Sequence, residues 1–341
     1  MKTSDLGGDE MGMEPIEVDD GDFIVNHGHI RGWRWGWDST KRFGGVVLSL
    51  LVEKIGAYCA AMLLEGKVAL VTGGGRGVGR AVAMAMAAQG ARVVVNDLGC
   101  GLDGSGEDES VADEVVEQLR STGAEAVASH DDVATGLGAK AAVQTAIDAF
   151  GDLDILVYSA GISRDKTLLK LDEASWDQVM GVGLKGAFLT MQAAARAMIS
   201  FGHGGRMVVM SGLSGYLGNF GQGNQAAALA GVHGLMRTAA IEWQKHKITV
   251  NAVAPLAKTR MTEALPLLQG FENLTVEHVV PAVLALTSDL CGDRSGTVLA
   301  ATGARIYSFR FVESAGKFKD EAAGVFTPEE VDEHWPSIVK I

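Results

Sequence analysis

Glycines are concentrated in one short segment, where their spacing suits the binding of an anion. Residues Thr72–Gly79 read Thr-Gly-Gly-Gly-Arg-Gly-Val-Gly, between an apolar stretch at 67–71 and a helical pattern at 80–89. Glycine permits a tight turn and lets backbone N–H groups approach a ligand, and the N-terminus of the helix that follows favours negative charge. This strand–turn–helix arrangement predicts a site for the pyrophosphate of a dinucleotide.

A carboxylate follows the second apolar stretch at a distance that suits such a site. Asp97 closes the stretch 91–96 and lies 18 residues after Gly79, near the ~20 expected for a carboxylate that holds the adenosine ribose hydroxyls. A carboxylate there repels a 2′-phosphate, so we expect NAD rather than NADP. The side chain of Arg76 is able to reach a phosphate, which favours NADP instead. Asp132 and Val133, after the third apolar stretch, can contact adenine, although Asp132 equally suits a helix cap.

The elements that position these residues alternate along the chain. Each apolar run is short and continuous, and each is followed by an amphipathic pattern, which is typical of a parallel sheet covered by helices on both faces. We expect strands at 67–71, 91–96, 124–130, 155–158, 207–210 and 249–253, and helices at 80–89, 111–122, 138–150, 175–200 and 225–245. The predicted fold class is α/β, a doubly wound parallel sheet of the Rossmann type.

Composition narrows the function classes. The chain has 341 residues and a net charge of −13, which argues against a nucleic-acid partner because phosphate binding needs a basic face. Cys59, Cys100 and Cys291 are widely spaced, so we expect neither zinc nor disulfides but a reducing cytoplasm. The apolar stretch 44–52 is too short to span a membrane.

Residues 1–61 differ from the remainder of the chain. An acidic stretch leads to His27-Gly28-His29 and to tryptophans that alternate with arginine and glycine. A His-x-His pair without a third ligand at useful spacing does not predict a metal site. We interpret residues 1–61 as an N-terminal extension, either a mobile arm or a segment outside the fold, in which 43–61 forms an amphipathic helix. Residues 62–341 form the dinucleotide-binding domain with its C-terminal tail.

The segment Thr72–Gly79 matches the T-G-x-x-x-G-x-G loop of the short-chain dehydrogenase/reductase family, and the resemblance runs from about Met62 to the C-terminus. The stretches 94–99, 218–222 and 326–338 are similar to the dehydrogenase portion of the peroxisomal multifunctional enzymes of type 2. The resemblance implies NAD-linked oxidation of a 3-hydroxyacyl-CoA or a similar alcohol.

The resemblance also implies which residues contact the cofactor. In the family, the fourth strand is followed by Asn-Asn-Ala-Gly, which here reads Tyr158-Ser159-Ala160-Gly161, and Thr259 is placed to bond the nicotinamide amide. The complete set of expected contacts is Thr72, Gly73, Arg76, Gly77, Val78, Gly79, Asp97, Asp132, Val133, Ser159, Ala160, Gly161 and Thr259.

The family's proton-transfer residues are replaced in this chain. The family uses a Tyr as acid and base, a Lys four residues later on the same helical face, a Ser thirteen residues before the Tyr, and an Asn on the preceding long helix. These positions are occupied here by Gln225, Leu229, Gly212 and Gly183. A neutral amide cannot transfer protons, a role worth ~10²–10⁴ in rate. The resemblance therefore predicts a poor catalyst.

Neighbouring side chains offer an alternative acid. Tyr216, Tyr158, Lys185, His233 and Ser214 lie nearby in sequence, but none has a partner at the spacing that would tune its pKa. Ser211 precedes Gly212 in an extended strand, so we expect its side chain to point to the opposite face. An active oxidoreductase that uses Tyr216 or Tyr158 is the second hypothesis.

The helices at 175–200 and 225–245 are rich in Ala, Gly and Met. In the family this pair forms a four-helix bundle with a second subunit, although the same residues also suit an intrachain core. The leading hypothesis is a non-catalytic, NAD-binding subunit that pairs with an active relative, similar to the inactive subunit of the benzylsuccinate-pathway dehydrogenase. A homo-oligomer and an NAD-sensing regulator are the other possibilities.

Overall fold

The computed structural model describes residues 62–263 and 274–341. The predicted helix at 43–61 and the pair His27 and His29 lie outside the described residues. Within the described residues, no helix has the length and apolar character needed to cross a membrane.

The described chain alternates strands and helices. The strands are β1 Val68–Thr72, β2 Arg92–Asn96, β3 Ala126–Ser129, β4 Ile155–Tyr158, β5 Gly205–Met210, β6 Ile248–Leu256, β7 Val298–Thr302 and β8 Arg305–Ser308. The α-helices are α1 Gly77–Ala88, α2 Ser110–Ser121, α3 Gly136–Phe150, α4 Glu173–Met180, α5 Ala187–Phe201, α6 Ser214–Leu217, α7 Gly223–Glu242, α8 Val280–Thr287 and α9 Pro328–Ile338.

The strands form one sheet with the order β3-β2-β1-β4-β5-β6-β7-β8. Strands β1 to β7 run parallel, which confirms the doubly wound α/β fold. At one edge, β8, a strand that was not expected, pairs with β7 in the antiparallel direction. Only Gly303 and Ala304 join them, and Gly303 has a positive φ of 52°. A connection this short can produce only a hairpin.

Both faces of the sheet are buried, which explains the continuous apolar runs of its strands. Leu70 of β1 packs into a core on the side of α3, α5 and α7. Its neighbours Ala69 and Val71 pack into a second core on the side of α1, α2 and α8. All three side chains are fully buried.

The helix expected at 175–200 is divided. A π-helical segment, Gly181–Gly186, separates α4 from α5. The sequence analysis expected one continuous helix and did not predict this interruption. The segment lies beside the switch point of the sheet, where β1 has β2 on one side and β4 on the other. Ligands of such sheets bind at this point.

Candidate functional site

A cavity of about 910 Å³ opens at the carboxyl ends of the parallel strands. Twelve of the thirteen expected cofactor contacts line it, namely Gly73, Arg76, Gly77, Val78, Gly79, Asp97, Asp132, Val133, Ser159, Ala160, Gly161 and Thr259. The four replaced positions line the same cavity, namely Gly183, Gly212, Gln225 and Leu229. The structure therefore brings together residues that are spread over almost 190 positions of the sequence.

The glycine loop is packed tightly enough to exclude side chains. Gly73 has a φ of +61°, and a Cβ on it would lie 2.8 Å from the Ala160 Cα. A Cβ on Gly79 would lie 2.1 Å from the Gly73 carbonyl oxygen. This close packing holds the loop at the N-terminus of α1, so the backbone there fits the pyrophosphate of a dinucleotide.

Thr72 has a structural role in this loop instead of the expected cofactor contact. It is fully buried, it is absent from the lining of the cavity, and its Oγ1 accepts hydrogen bonds from the backbone N–H groups of Ser159 at 3.1 Å and Ala160 at 3.3 Å. Thr72 therefore joins the end of β1 to the loop after β4.

Asp97 and Asp132, which we expect to contact the adenosine half of the cofactor, both accept hydrogen bonds from backbone N–H groups. Asp97 accepts from the N–H groups of Gly75 at 2.9 Å and Gly99 at 2.8 Å, one on each carboxylate oxygen. Asp132 accepts from the N–H of Ala134 at 2.9 Å. The cap of α3 is Thr135, which accepts from Gly138. Asp132 thus stabilises the turn before the helix and is not the cap that we considered as its alternative role.

At the other end of the cavity the replaced residues pack against one another. A Cβ on Gly212 would lie 2.9 Å from Leu229 Cδ1, and a Cβ on Gly183 would lie 3.2 Å from the Ala228 Cβ. Leu229 therefore occupies part of the space that a serine at position 212 would need. The glycine and the leucine are matched to each other in shape, and together with Gln225 they form an uncharged surface.

Tyr158 is placed for a structural role. Its side chain is 2% exposed, and its hydroxyl donates a 2.7 Å hydrogen bond to the Val182 carbonyl in the π-helical segment. Burial raises the pKa of Tyr158 well above its usual range. The hydroxyl does not line the cavity, so this geometry does not favour Tyr158 as an acid.

Replacement of Tyr158 by Phe should lower the free energy of unfolding by about 0.5–1.5 kcal/mol, because the hydrogen bond from its hydroxyl to the Val182 carbonyl would be lost. Urea denaturation measures this change. Tyr307→Phe is the matched control and should change stability by less than about 0.5 kcal/mol. An equal effect of both replacements would contradict the assigned role of the hydrogen bond.

Ser211 points toward α7, and the prediction that it faces away from the site was wrong. Strand β5 ends at Met210, and Ser211 lines the cavity with its Oγ in a hydrogen bond with Nε2 of His233. The second ring nitrogen of His233 has no hydrogen-bond partner among the described residues. The pKa of His233 is lowered to about 4, mainly by burial and also by Arg237. The imidazole is therefore neutral near neutral pH.

Tyr216 packs behind this pair and away from the cavity. Its ring lies 3.8 Å from that of His233 and 4.4 Å from that of Phe309. Burial raises its pKa to about 12, and Tyr216 does not line the cavity. Neither of the two tyrosines that sequence analysis considered as acids reaches the site.

His233 should make the stability of the protein depend on pH. Its pKa in the folded chain lies below the usual 6.5, so the unfolded chain binds the proton more tightly and stability falls as pH decreases from about 6.5 to about 4. The shift corresponds to a loss on the order of 3 kcal/mol. Urea denaturation across this range measures it, and His233→Leu should flatten the slope. A variant that keeps the wild-type slope would contradict this account.

Cys100 and Arg260 are among the lining residues that were not predicted. Arg260 directly follows Thr259, which was a candidate, but nothing in the local pattern distinguishes a side chain that faces the cavity from one that faces solvent. Cys100 lies in the loop after Asp97, and burial raises the pKa of its thiol.

Comparison with known proteins decides the family. A family model described as short chain dehydrogenase matches residues 67–267. The chain belongs to this family. A short-chain type dehydrogenase/reductase of Mycobacterium tuberculosis is 38% identical over 240 residues, which cover 70% of this chain and 84% of the relative.

The second resemblance is also confirmed. The peroxisomal multifunctional enzyme type 2 of mouse is 40% identical over 274 residues, which cover 80% of this chain. The match spans only 37% of the mouse enzyme. The chain is therefore related to the dehydrogenase portion of a longer protein.

Solved structures agree with the fold. A short chain dehydrogenase from Mycobacterium avium superposes with a TM-score of 0.71 at 38% identity. The match covers 81% of this chain and 96% of that protein. The doubly wound sheet is thus that of the short-chain dehydrogenase family.

Proposed function

We propose that this member of the short-chain dehydrogenase family binds NAD but does not itself catalyse hydride transfer at a useful rate. It serves as the non-catalytic subunit of an alcohol dehydrogenase for 3-hydroxyacyl-CoA-type substrates. The observation that carries the proposal is the surface formed by Gln225, Leu229, Gly212 and Gly183 at one end of the cavity. Among the described lining residues there is no tyrosine and no histidine.

Support for a loss of catalysis comes from the packing as well as from the identities of these residues. An empty space at the serine or lysine position would leave room for a neighbouring side chain or a water molecule to take over the missing role. Here Leu229 packs toward Gly212 and Gly215, at 2.9 Å and 2.8 Å from the Cβ positions of those glycines. This apolar side chain occupies part of the place where a hydroxyl and an ammonium group would act.

Support for NAD comes from the opposite end of the cavity. The glycine loop retains the close packing that a pyrophosphate site needs, and Asp97 lines the cavity beside it. A carboxylate there accepts the ribose hydroxyls of NAD and repels the 2′-phosphate of NADP. We therefore favour NAD, with NADP as the alternative.

Support for a partner comes from the exposed faces of α4, α5 and α7. Large apolar side chains are exposed there, namely Trp176, Phe188, Ile199, Phe201 and Ile241. Exposed apolar side chains on neighbouring helices are suited to a protein–protein contact. An active relative in a hetero-oligomer is the partner we favour, and a second copy of this chain is the alternative.

Three measurements on the purified chain test the proposal. Calorimetry should detect NAD binding, turnover with 3-hydroxyacyl-CoA substrates should be negligible, and addition of a co-purifying relative should produce an active complex. Ordinary turnover by the chain alone would overturn the proposal and favour an active enzyme with unconventional residues. NAD binding without any related subunit in native mass spectrometry would favour an NAD-sensing regulator.

The compartment is a separate part of the proposal. The described cysteines, Cys100 and Cys291, are both free, which fits a reducing compartment such as the cytoplasm. The mouse relative carries the word peroxisomal in its name. Fractionation of the source cells would distinguish the cytoplasm from an organelle.

A further inference from the structure

Two guanidinium groups meet at one backbone oxygen on the rim of the cavity. Arg76 Nη1 donates to the Cys100 carbonyl at 2.9 Å, and Arg260 Nη1 donates to the same oxygen at 3.2 Å. Arg76 precedes α1 inside the glycine loop, whereas Arg260 follows β6, so the contact joins loops on two sides of the sheet's switch point. Both residues line the cavity.

These arginines are not held by carboxylates. Among the described residues, neither Arg76 nor Arg260 forms an ion pair within 4.0 Å. A guanidinium has five N–H donors, and a single carbonyl uses one donor from each. The remaining donors and both charges are thus available to an anion.

Acidic and basic side chains are balanced in the lining of the cavity. Its described lining contains three acidic side chains, Asp97, Asp131 and Asp132, and three basic ones. Asp97, Asp131 and Asp132 each already accept a hydrogen bond from a neighbouring residue. In a chain with a net charge of −13, a phosphate-bearing ligand needs local cations to enter such a site.

The position of Arg260 relative to the glycine loop is the decisive observation. Its neighbour Thr259 approaches the loop so closely that a Cβ on Gly77 would lie 3.4 Å from Thr259 Cγ2. Gly77 begins α1, where the pyrophosphate of a dinucleotide would be bound. Arg260 is therefore the next residue along the chain from a side chain that packs against the start of α1.

We propose that Arg260 joins Arg76 in a phosphate clamp that binds a phosphate on the adenosine half of the dinucleotide, and that the Cys100 carbonyl holds the two guanidinium groups side by side. The proposal rests on the proposed dinucleotide site and adds to it a residue outside the glycine loop. Charge-assisted, forked hydrogen bonds from arginine are well suited to phosphate.

The test compares Arg260→Gln with wild type in calorimetric titrations with NAD, NADP, ADP, adenosine 2′-monophosphate and adenosine. The variant should bind at least one phosphorylated ligand about 10–100-fold more weakly, as expected for the loss of a charge-assisted hydrogen bond. Adenosine, which has no phosphate, should bind equally to both proteins. Arg260→Lys should retain part of the affinity, because it keeps the charge without the fork.

The matched control is Arg294→Gln. Arg294 is likewise exposed and donates to backbone carbonyls, those of Leu290 and Cys291 at 2.6 Å and 3.1 Å, but it lies outside the lining of the cavity. It should leave every affinity unchanged. The weakened ligands identify the phosphate: an effect on ADP indicates the pyrophosphate, and an effect confined to NADP and adenosine 2′-monophosphate indicates the 2′-phosphate.

Two results would overturn the clamp, and they have different meanings. If wild type binds NAD and Arg260→Gln binds every ligand with the same affinity, the clamp is wrong and the dinucleotide site stands. If wild type binds none of the five ligands, the dinucleotide site itself is wrong and the clamp fails with it.

Discussion

A chain that carries Gly212→Ser, Gln225→Tyr and Leu229→Lys together is expected to oxidise a 3-hydroxyacyl-CoA with NAD at least about 100-fold faster than wild type. The combination supplies a hydroxyl acid, an ammonium group one helical turn later and a serine opposite them, and general acid–base catalysis is worth ~10²–10⁴ in rate. All three positions line one cavity. Initial rates of NADH formation measure the gain.

The same geometry predicts that the substitutions depend on one another. Gly212→Ser alone should remain inactive and lose about 0.5–1.5 kcal/mol of stability, because its Cβ would lie 2.9 Å from Leu229 Cδ1 and the end of that side chain must shift from its preferred rotamer. Adding Leu229→Lys replaces the branched side chain with a linear one and should recover that loss. The matched control for chemistry has Phe at position 225 in place of Tyr and should be inactive.

These variants also test the proposed function. A triple variant that folds and binds NAD but is no faster than wild type would show that more than the three side chains has been lost, with Gly183 as the next position to restore. A wild type that already equals the triple variant would contradict the proposal that the chain is a non-catalytic subunit.

Gly79→Ala is expected to weaken NAD binding at least about 100-fold. The added Cβ would lie 2.1 Å from the carbonyl oxygen and 2.8 Å from the carbonyl carbon of Gly73. Both are backbone atoms, so the loop itself must move, and a displacement near 1 Å at a binding site can cost ~10². Calorimetric titration with NAD measures the effect, and thermal unfolding shows whether the fold persists.

Gly136→Ala is the matched control for this prediction. Gly136 is the first residue of α3 and is exposed, and the nearest atom to its added Cβ is Leu189 Cδ2 at 4.0 Å. It should leave NAD affinity unchanged and should not lower stability. NAD binding by Gly79→Ala at wild-type affinity would contradict the pyrophosphate site and, with it, the phosphate clamp.

Much of the fold followed from local pattern. Continuous apolar runs that alternate with helical periodicity indicated six of the eight strands in nearly their observed positions, because each run is buried on both faces of the sheet. The hairpin of β7 and β8 was missed. Its strands are short, β8 is mostly exposed, and no crossover helix separates the two.

The sequence alone determined the residues whose roles depend on spacing within one element or its neighbour. The glycine loop, Asp97 after β2, and the replacements at Gln225 and Leu229 belong to this class, because a strand or a helix places residues at fixed distances and on fixed faces. The family that shares this spacing was correctly identified from the same residues.

Only the tertiary structure decided which way side chains point where elements meet. Ser211 binds His233 on α7, Tyr158 supports the π-helical segment, and Arg260 reaches Cys100, 160 residues away in sequence. The periodicity of the sequence predicts none of these contacts, because each contact joins segments that only the folded sheet brings together. The same holds for the contact of Leu229 with Gly212, which lie on α7 and after β5.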